Sequence, residues 1–93
     1  MTTVLTLPEV QARVLDYIAR EFLEGDATAL DLDTQLLALG IIDSLKMLKL
    51  TTFIETDFGI LLDIEHLVPT NLESIRAISG MIHGLLGSGV TTT

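Results

Sequence analysis

The chain has 93 residues, of which 48% are hydrophobic and only 4% aromatic, so it suits one domain with a modest core of aliphatic side chains. Thirteen acidic residues against five basic ones give a formal net charge of −8, which argues against a nucleic-acid partner because like charges repel. The absence of cysteine excludes disulfides and thiolate metal ligands and fits a reducing compartment.

Apolar residues three or four positions apart predict a first helix that opens at Pro8 and ends at Gly25-Asp26. Proline is favoured at the first helical position, and glycine is common just after the last one. The apolar stripe of this helix consists of Leu7, Val10, Val14, Ile18 and Phe22. Charged residues occupy the other side, as in a helix that packs one face on a core.

A long connection follows, from Gly25 to Asp43, and it changes from polar to apolar along its length. A loop of this length is uncommon in so small a domain and is often functional. If its leucines and isoleucines were all exposed, they would form a patch that favours association. We therefore expect them to pack back on the helices.

Asp43 and Ser44 are both good N-cap residues and predict the start of a second helix, which runs to about Phe58-Gly59. Its surface carries two rows of apolar residues. The inward row consists of Met47, Leu50, Ile54 and Phe58. The neighbouring row, expected to stay partly exposed, consists of Leu45, Leu48 and Thr52.

Two further helical segments are predicted. A short turn of helix lies around Glu65 to Val68 and ends at Pro69, because proline disfavours helical geometry in the residue before it. Thr70 and Glu73 have the spacing of a capping box, which predicts that the last helix begins there. The apolar positions of that helix are Leu72, Ile75, Ile78, Ile82 and Leu85 or Leu86.

These elements predict an all-α fold in a single domain over residues 1–93. It has three longer helices, one short third helix and a long loop between helices one and two. The ordered core is expected over about 7–86, and the tail over 87–93 is expected to be flexible because it has no apolar periodicity.

The segment Gly40-Ile41-Ile42-Asp43-Ser44-Leu45 resembles the phosphopantetheine attachment motif of acyl and peptidyl carrier proteins, where Asp-Ser-Leu follows a glycine and opens the second helix. The tripeptide alone is weak evidence, but here it follows a long loop near the middle of a chain of suitable size. The resemblance extends from Val10 to Ile82. It includes Thr34–Gly40, Phe58-Gly59-Ile60, and Leu67–Leu72, which looks like the third-helix boundary of a freestanding subset of these proteins.

This resemblance implies a four-helix bundle of acyl-carrier type, in which Ser44 bears a covalent 4′-phosphopantetheine arm derived from coenzyme A. The chain itself then catalyses nothing, and the thiol of the arm holds an acyl or aminoacyl cargo as a thioester. The implied partners are a phosphopantetheinyl transferase, an adenylating ligase or acyltransferase that loads the cargo, and a downstream synthase or transferase. Asp43 is either a helix cap or a residue that the phosphopantetheinyl transferase recognises, or both.

Physical chemistry favours such a location for the modified serine. The N-terminus of a helix has unpaired N–H groups and the positive end of the helix dipole, and both favour an attached anionic phosphodiester. A flexible arm on a rigid helix also presents its thioester to several enzymes at high effective concentration.

Lys46 and Lys49 are the only lysines, and both lie in the first turns of the second helix, where cations oppose the helix dipole. In fatty-acid carriers, a branch of the family that the chain resembles, the matching positions are usually acidic, and the chain departs from that pattern. We therefore expect partners with a neutral or acidic docking rim, in a specialised polyketide, nonribosomal-peptide or amino-acid-derived pathway. Leu45 and Leu48 are candidate apolar docking contacts. Alternatively, the lysines are ordinary solvated residues that pair with Asp43 or other nearby acids.

Other site types fit the sequence less well. The stretch Asp31-Leu32-Asp33 suggests a calcium loop, but its sixth position is Leu36 instead of glycine and its twelfth is Ile42 instead of glutamate. His66 and His83 match no metal-ligand spacing, so no metal site is expected. The competing function is an unmodified acidic helical module that binds a partner protein through the exposed face of the second helix.

A cytoplasmic protein is the simplest interpretation of the sequence, and a monomer is expected. Met1 to Leu7 lacks the features of a secretory signal. The longest apolar run, Leu36 to Ile42, is far shorter than the roughly 20 residues that span a membrane, so no membrane insertion is expected.

Overall fold

The computed structural model describes residues 5–26, 28 and 30–87, and over these residues every regular element is a helix. In chain order the elements are α1 (Leu7–Phe22), α2 (Ser44–Phe58), a 3₁₀ turn (Ile64–His66), α3 (Pro69–Leu72) and α4 (Ile75–Gly87). The predicted all-α fold, with three longer helices, a short third helix and a long loop after the first, is confirmed. Residues 88–93 of the predicted tail lie outside the described part of the chain.

Helix α1 begins with a capping box that the sequence analysis did not identify. The Thr6 hydroxyl accepts a hydrogen bond from the Glu9 amide, and the Thr6 amide donates to the Glu9 carboxylate at 2.8 Å. This backbone hydrogen bond lowers the pKa of Glu9. Along the predicted stripe Val10, Val14 and Ile18 are buried, as expected, whereas Leu7 is exposed because it lies at the open end of the helix.

The long loop between α1 and α2 packs back on the helices, as predicted. Leu30, Leu36 and Ile42 are buried in the same core as the helices, and Leu39 is 67% exposed. The Leu36 carbonyl accepts hydrogen bonds from two amides, those of Ile41 and Ile42, which closes a tight turn. Gly40 lies in this turn with a φ of +73°, a left-handed conformation that favours glycine.

The same loop is attached to the start of α4. The Leu36 amide donates to the Glu73 carbonyl at 2.8 Å, and the Arg76 amide donates to the Leu32 carbonyl at 2.9 Å. The Arg76 guanidinium also donates two hydrogen bonds to the Asp33 carboxylate, at 2.8 and 3.1 Å. This side-chain hydrogen bonding lowers the pKa of Asp33.

The predicted start of the last helix at Thr70 is wrong. Pro69 opens the separate short helix α3, and no side chain caps it. A bend at Glu73 and Ser74 separates it from α4, where the Ser74 hydroxyl accepts from the Ala77 amide at 3.1 Å. In a continuous helix that amide would bond to the Glu73 carbonyl, but the loop occupies this carbonyl. The predicted turn before Pro69 is the 3₁₀ turn, which lies slightly earlier than expected.

The core lies where α1, α2 and α4 meet, and α1 packs extensively against α4. Its members are aliphatic apart from Phe58, as the composition predicts. The innermost side chains are Val10, Val14, Ile18, Leu36, Leu50, Ile54, Leu72, Ile75, Ile78 and Ile82. The hydroxyl of Ser79 is also fully buried and has no hydrogen-bond partner among the described residues.

Candidate functional site

Ser44 is the first residue of α2 and is exposed, as predicted. Asp43 is the N-cap: its backbone is extended, and its carboxylate accepts a hydrogen bond from the Lys46 amide at 2.9 Å. The Asp43 carbonyl accepts the first helical bond, from the Met47 amide at 2.8 Å. The side chain and backbone of Asp43 thus fix where the helix begins and leave Ser44 on its outer end.

The residues before α2 determine the orientation of this end. Ile42 is 2% exposed and anchors the chain in the core, whereas Asp43 and Ser44 both face solvent. Because the turn at Gly40 brings the chain back to the core at Ile42, the next residues point outward where the helix starts. The burial of Ile42 and the Asp43 cap therefore act together to present Ser44.

The arrangement around Ser44 suits an attached phosphodiester. Its hydroxyl has no hydrogen-bond partner among the described residues, and the amides of Ser44 and Leu45 donate to none of them. Two unpaired N–H groups at the positive end of a 15-residue helix can solvate a phosphate beside the hydroxyl. The residues present therefore fit the prosthetic group that the sequence motif implies.

Exposed aliphatic residues flank Ser44 on both sides in the sequence. Leu45 and Leu48 are 64% and 66% exposed, as the predicted outer row of α2 requires. Leu39, before the helix, is similarly exposed. Leu61 and Ile64, which follow α2, are more exposed still. Their exposure was not predicted, because short connecting segments have no apolar periodicity.

The two lysines near the site have different surroundings. The Lys46 ammonium lies 5.8 Å from the centre of the Phe22 ring, close enough for a cation–π contact. Lys49 is exposed. Every ion pair within the described residues involves an arginine, so the alternative that the lysines pair with Asp43 is not observed.

All four aromatic residues form one cluster that joins α1 to α2, a feature that the sequence analysis missed. The Tyr17 and Phe53 rings stack with centres 4.0 Å apart, and the Tyr17 hydroxyl donates to the Lys49 carbonyl at 3.1 Å. Phe22 meets Tyr17 edge-on, and Phe58 meets Phe53 in the same way. The sequence does contain one indication of this cluster: Lys46, Lys49 and Phe53 are spaced three and four residues apart and so form a third row on α2.

An open groove of about 550 Å³ lies beside the stacked rings, between α1 and α2. Its lining consists of Tyr17, Glu21, Leu48, Lys49, Thr52, Phe53, Thr56 and Asp57. The Arg13 guanidinium pairs with the Asp57 carboxylate at 3.0 Å and links the two helices there. Burial raises the pKa of Tyr17, and the nearby negative charge of Glu21 raises it further.

Features of other site types are lacking in the described part of the chain. Residues 5–26, 28 and 30–87 contain no group of three or more His, Asp or Glu side chains arranged to hold a metal ion. His66 instead accepts a hydrogen bond from the Asp63 amide through Nδ1, at 2.9 Å. None of the described helices has the length and apolar character needed to cross a bilayer.

The all-helical fold, with a long loop before α2, is consistent with the helical bundle of an acyl-carrier type of protein. Residues 12–82 match the family model described as the phosphopantetheine attachment site. The chain belongs to this family, and its prosthetic group is covalent 4′-phosphopantetheine. Members of the family are not catalysts themselves; they are modified by a phosphopantetheinyl transferase and work with biosynthetic enzymes.

Two similar proteins have carrier names. Aminoacyl carrier protein 2 of Bradyrhizobium diazoefficiens is 33% identical over 86 residues, which are 90% of this chain and 94% of that protein. The probable acyl carrier protein PigG of Serratia sp. is 24% identical over 76 residues, which are 82% of this chain and 87% of that protein.

A solved structure is also similar. It is described as the crystal structure of FAD-dependent dehydrogenase, and one of its chains superposes with a TM-score of 0.69 at 35% identity. The match covers 74% of this chain and 97% of that chain. The matched chain is therefore shorter than this 93-residue protein.

Proposed function

We propose that Ser44 is the attachment residue for 4′-phosphopantetheine and that the protein carries an aminoacyl cargo in a specialised biosynthetic pathway. The observation that carries this proposal is the exposed, unpaired Ser44 hydroxyl beside unpaired amides at the N-terminus of α2. The thiol of the bound group supplies the thioester that holds the cargo. Because the chain belongs to this family, a modified carrier is a better interpretation than an unmodified interaction module.

The residues around Ser44 have separate roles in this proposal. Asp43 caps α2, so the serine stays in one position while a transferase approaches, and its carboxylate is available to be recognised. The unpaired amides of Ser44 and Leu45 stabilise the phosphodiester. Leu45, Lys46, Leu48 and Lys49 form the docking face for partner enzymes, with apolar contacts inside a positively charged edge.

Two similarities support the aminoacyl cargo and one class of downstream partner. The 33% identical relative is named an aminoacyl carrier protein, and its match covers most of both chains. A chain shorter than 93 residues has no room for a doubly wound dinucleotide-binding domain together with a substrate site. We therefore take the matched chain of the dehydrogenase structure to be a carrier-sized partner, and propose an FAD-dependent dehydrogenase that acts on the loaded carrier.

The attachment is tested by incubating the protein with coenzyme A and a broad-specificity phosphopantetheinyl transferase, followed by intact-mass measurement. We expect a mass gain of one phosphopantetheinyl group in the wild type and in Ser74→Ala, and none in Ser44→Ala. Peptide mapping should place the modification in the peptide that contains Ser44. No mass gain with several transferases, or a gain that persists in Ser44→Ala, overturns the assignment.

The docking face is tested separately from the attachment. Holo-protein variants Leu48→Asp and Lys49→Glu are compared with the wild type for the rate at which an adenylating ligase loads an amino acid. We expect both variants to slow loading although they still accept phosphopantetheine, and a charge-reversing substitution outside these four residues, Glu65→Lys, to leave the rate unchanged. Equal rates in all four proteins contradict the assignment of this face.

A further inference from the structure

The groove between α1 and α2 is separate from Ser44, which does not line it, and it borders the exposed row of α2 through Leu48 and Thr52. Its volume of about 550 Å³ falls in the range of small-molecule sites, roughly 300 to 1,000 Å³. Stacked Tyr17 and Phe53 give it a flat aromatic wall. This wall is held in place by the hydrogen bond from Tyr17 to the Lys49 carbonyl.

The charged groups of the groove have opposite signs and suit a small polar ligand. Glu21 comes from α1 and Lys49 from α2, and neither forms an ion pair with another described residue. Asp57, the third charged group, is paired with Arg13. The available charges are thus one carboxylate and one ammonium, together with the hydroxyls of Thr52 and Thr56.

We propose that this groove holds the aminoacyl cargo of the protein's own arm between encounters with partner enzymes. The inference rests on the proposed function. An aminoacyl thioester has a free ammonium group and a thioester carbonyl. The ammonium suits the Glu21 carboxylate and the aromatic wall, and the carbonyl suits a hydrogen bond from the Lys49 ammonium.

The distances along α2 allow this placement. Lys49 follows Ser44 by five residues and Thr56 follows it by twelve, so they lie about 8 Å and about 18 Å further along the helix axis. The arm has about as many backbone bonds as five amino-acid residues and therefore extends to about 17 Å. Its end reaches the near half of the groove after it crosses the exposed side chains of Leu45 and Leu48.

The charged groups that line the groove favour an amino acid over a simple acyl chain as the occupant. The groove is open to solvent and has polar groups on both helices, whereas a saturated acyl chain gains most from a dry, apolar enclosure. A simple acyl chain also leaves Glu21 without a partner. Glu21 and Tyr17 both line the groove, so a bound ammonium meets the carboxylate and the aromatic ring together.

The experiment compares cargo analogues that differ only in the amino group. The transferase attaches non-hydrolysable amide analogues of the arm to ¹⁵N-labelled protein, carrying either leucine or its des-amino counterpart 4-methylpentanoate, and intact mass verifies attachment. We expect the leucyl form to shift the backbone amides of residues 48–57 relative to the unloaded holo-protein. The des-amino form should shift them less.

Two variants locate the ammonium. Glu21→Gln should reduce groove occupancy by the leucyl form about three- to fivefold, the effect expected from an exposed ion pair. Glu24→Gln removes the same charge three residues away, outside the groove, and should leave occupancy unchanged.

The outcomes separate this inference from the proposed function. If no analogue becomes attached to Ser44, the proposed function fails. If attachment succeeds but the groove amides do not move, or both analogues move them equally, or Glu21→Gln has no effect, the cargo assignment is overturned and the carrier function stands.

Discussion

Ser74, directly before α4, and Ser79, within it, are both buried, but only the Ser74 hydroxyl forms a hydrogen bond. The Ser74 hydroxyl caps the helix by accepting from the Ala77 amide, whereas the Ser79 hydroxyl lies in an aliphatic core and has no partner in the part of the chain that the structure describes. Burying an unpaired hydroxyl costs about 1–3 kcal/mol. The same chemical group therefore has opposite effects on stability at the start of α4 and in its interior.

We expect Ser79→Ala to raise the free energy of unfolding by about 1 kcal/mol, since alanine removes the unpaired hydroxyl and is also the better helix former. Ser74→Ala should lower it by about 1 kcal/mol through loss of the cap. Urea denaturation followed by circular dichroism measures both. A loss of stability in Ser79→Ala would show that its hydroxyl has a partner, such as a buried water.

Asp43 has a structural role that can be measured without any transferase. Its carboxylate accepts from the Lys46 amide at the start of α2. Asp43→Ala should therefore lower the free energy of unfolding by about 1 kcal/mol. Asp43→Asn should lower it much less, because asparagine is also a good N-cap. Thermal or urea unfolding of the apo-proteins gives both values. Equal losses in the two variants would contradict capping as the main contribution.

At the scale of elements, α2 has two faces with different tasks. Leu50 is fully buried and Leu48 is 66% exposed, although only one residue separates them. Leu50→Ala should lower the free energy of unfolding by about 2–5 kcal/mol, because it removes buried apolar surface and leaves a cavity. Leu48→Ala should change stability by less than about 0.5 kcal/mol, so that any loss of loading in this variant reports on docking. A large destabilisation by Leu48→Ala would mean that its side chain packs in the core.

The attachment of the loop to α4 depends on pH through Asp33. Hydrogen bonds from Arg76 lower the pKa of Asp33 in the folded state, so its contribution is fully present above the unfolded pKa of about 3.9 and is lost as pH falls through the folded pKa. We expect Asp33→Asn to be less stable than the wild type at neutral pH and to approach it in strong acid. Unfolding measured from neutral pH down to about pH 2 tests this; a gap that widens on acidification contradicts it. Glu9 and Asp26, whose pKa values are also lowered, leave some acid dependence in both proteins.

The helices that periodicity predicts well are those with local signals. Leu50, Ile54 and Phe58 repeat at helical spacing, and Asp43 and Gly59 mark the two ends of α2, so both the helix and the position of Ser44 follow from the sequence. The start of α4 does not. There the long loop takes the Glu73 carbonyl and the Arg76 amide, groups that would otherwise continue the helix. A pattern read along one segment contains no information about a loop some 40 residues away that competes for its hydrogen bonds.

The groove, like the start of α4, depends on contacts between residues far apart in the sequence and therefore could not be predicted from local patterns. The sequence marks Ser44 because glycine, aspartate, serine and leucine stand together at a helix start. Tyr17 and Phe53 lie 36 positions apart, and only the packing of α1 on α2 brings their rings into contact. Phe53 also falls between the inward and outward rows of its helix, so hydropathy alone does not assign it to either.

At the scale of the whole molecule, charge is distributed unevenly around the site. The chain has a net charge of −8, yet both of its lysines lie within five residues of Ser44. An approaching partner therefore meets both lysines close to Ser44 on a protein that is acidic overall. This distribution favours one orientation of docking, since long-range electrostatics steers encounters.

The same excess of acid predicts how salt affects stability. Repulsion among 13 acidic residues destabilises the compact state, and the three ion pairs within the described residues are exposed and contribute little. Raising sodium chloride from about 10 mM to about 150 mM shortens the Debye length from about 30 Å to about 8 Å and should therefore raise the Tm. The double variant Glu24→Gln with Glu65→Gln removes two negative charges and should have a higher Tm at low salt and a smaller rise. A Tm that falls as chloride is added would mean that attractive pairs outweigh the repulsion, and the variant would then lose stability at low salt.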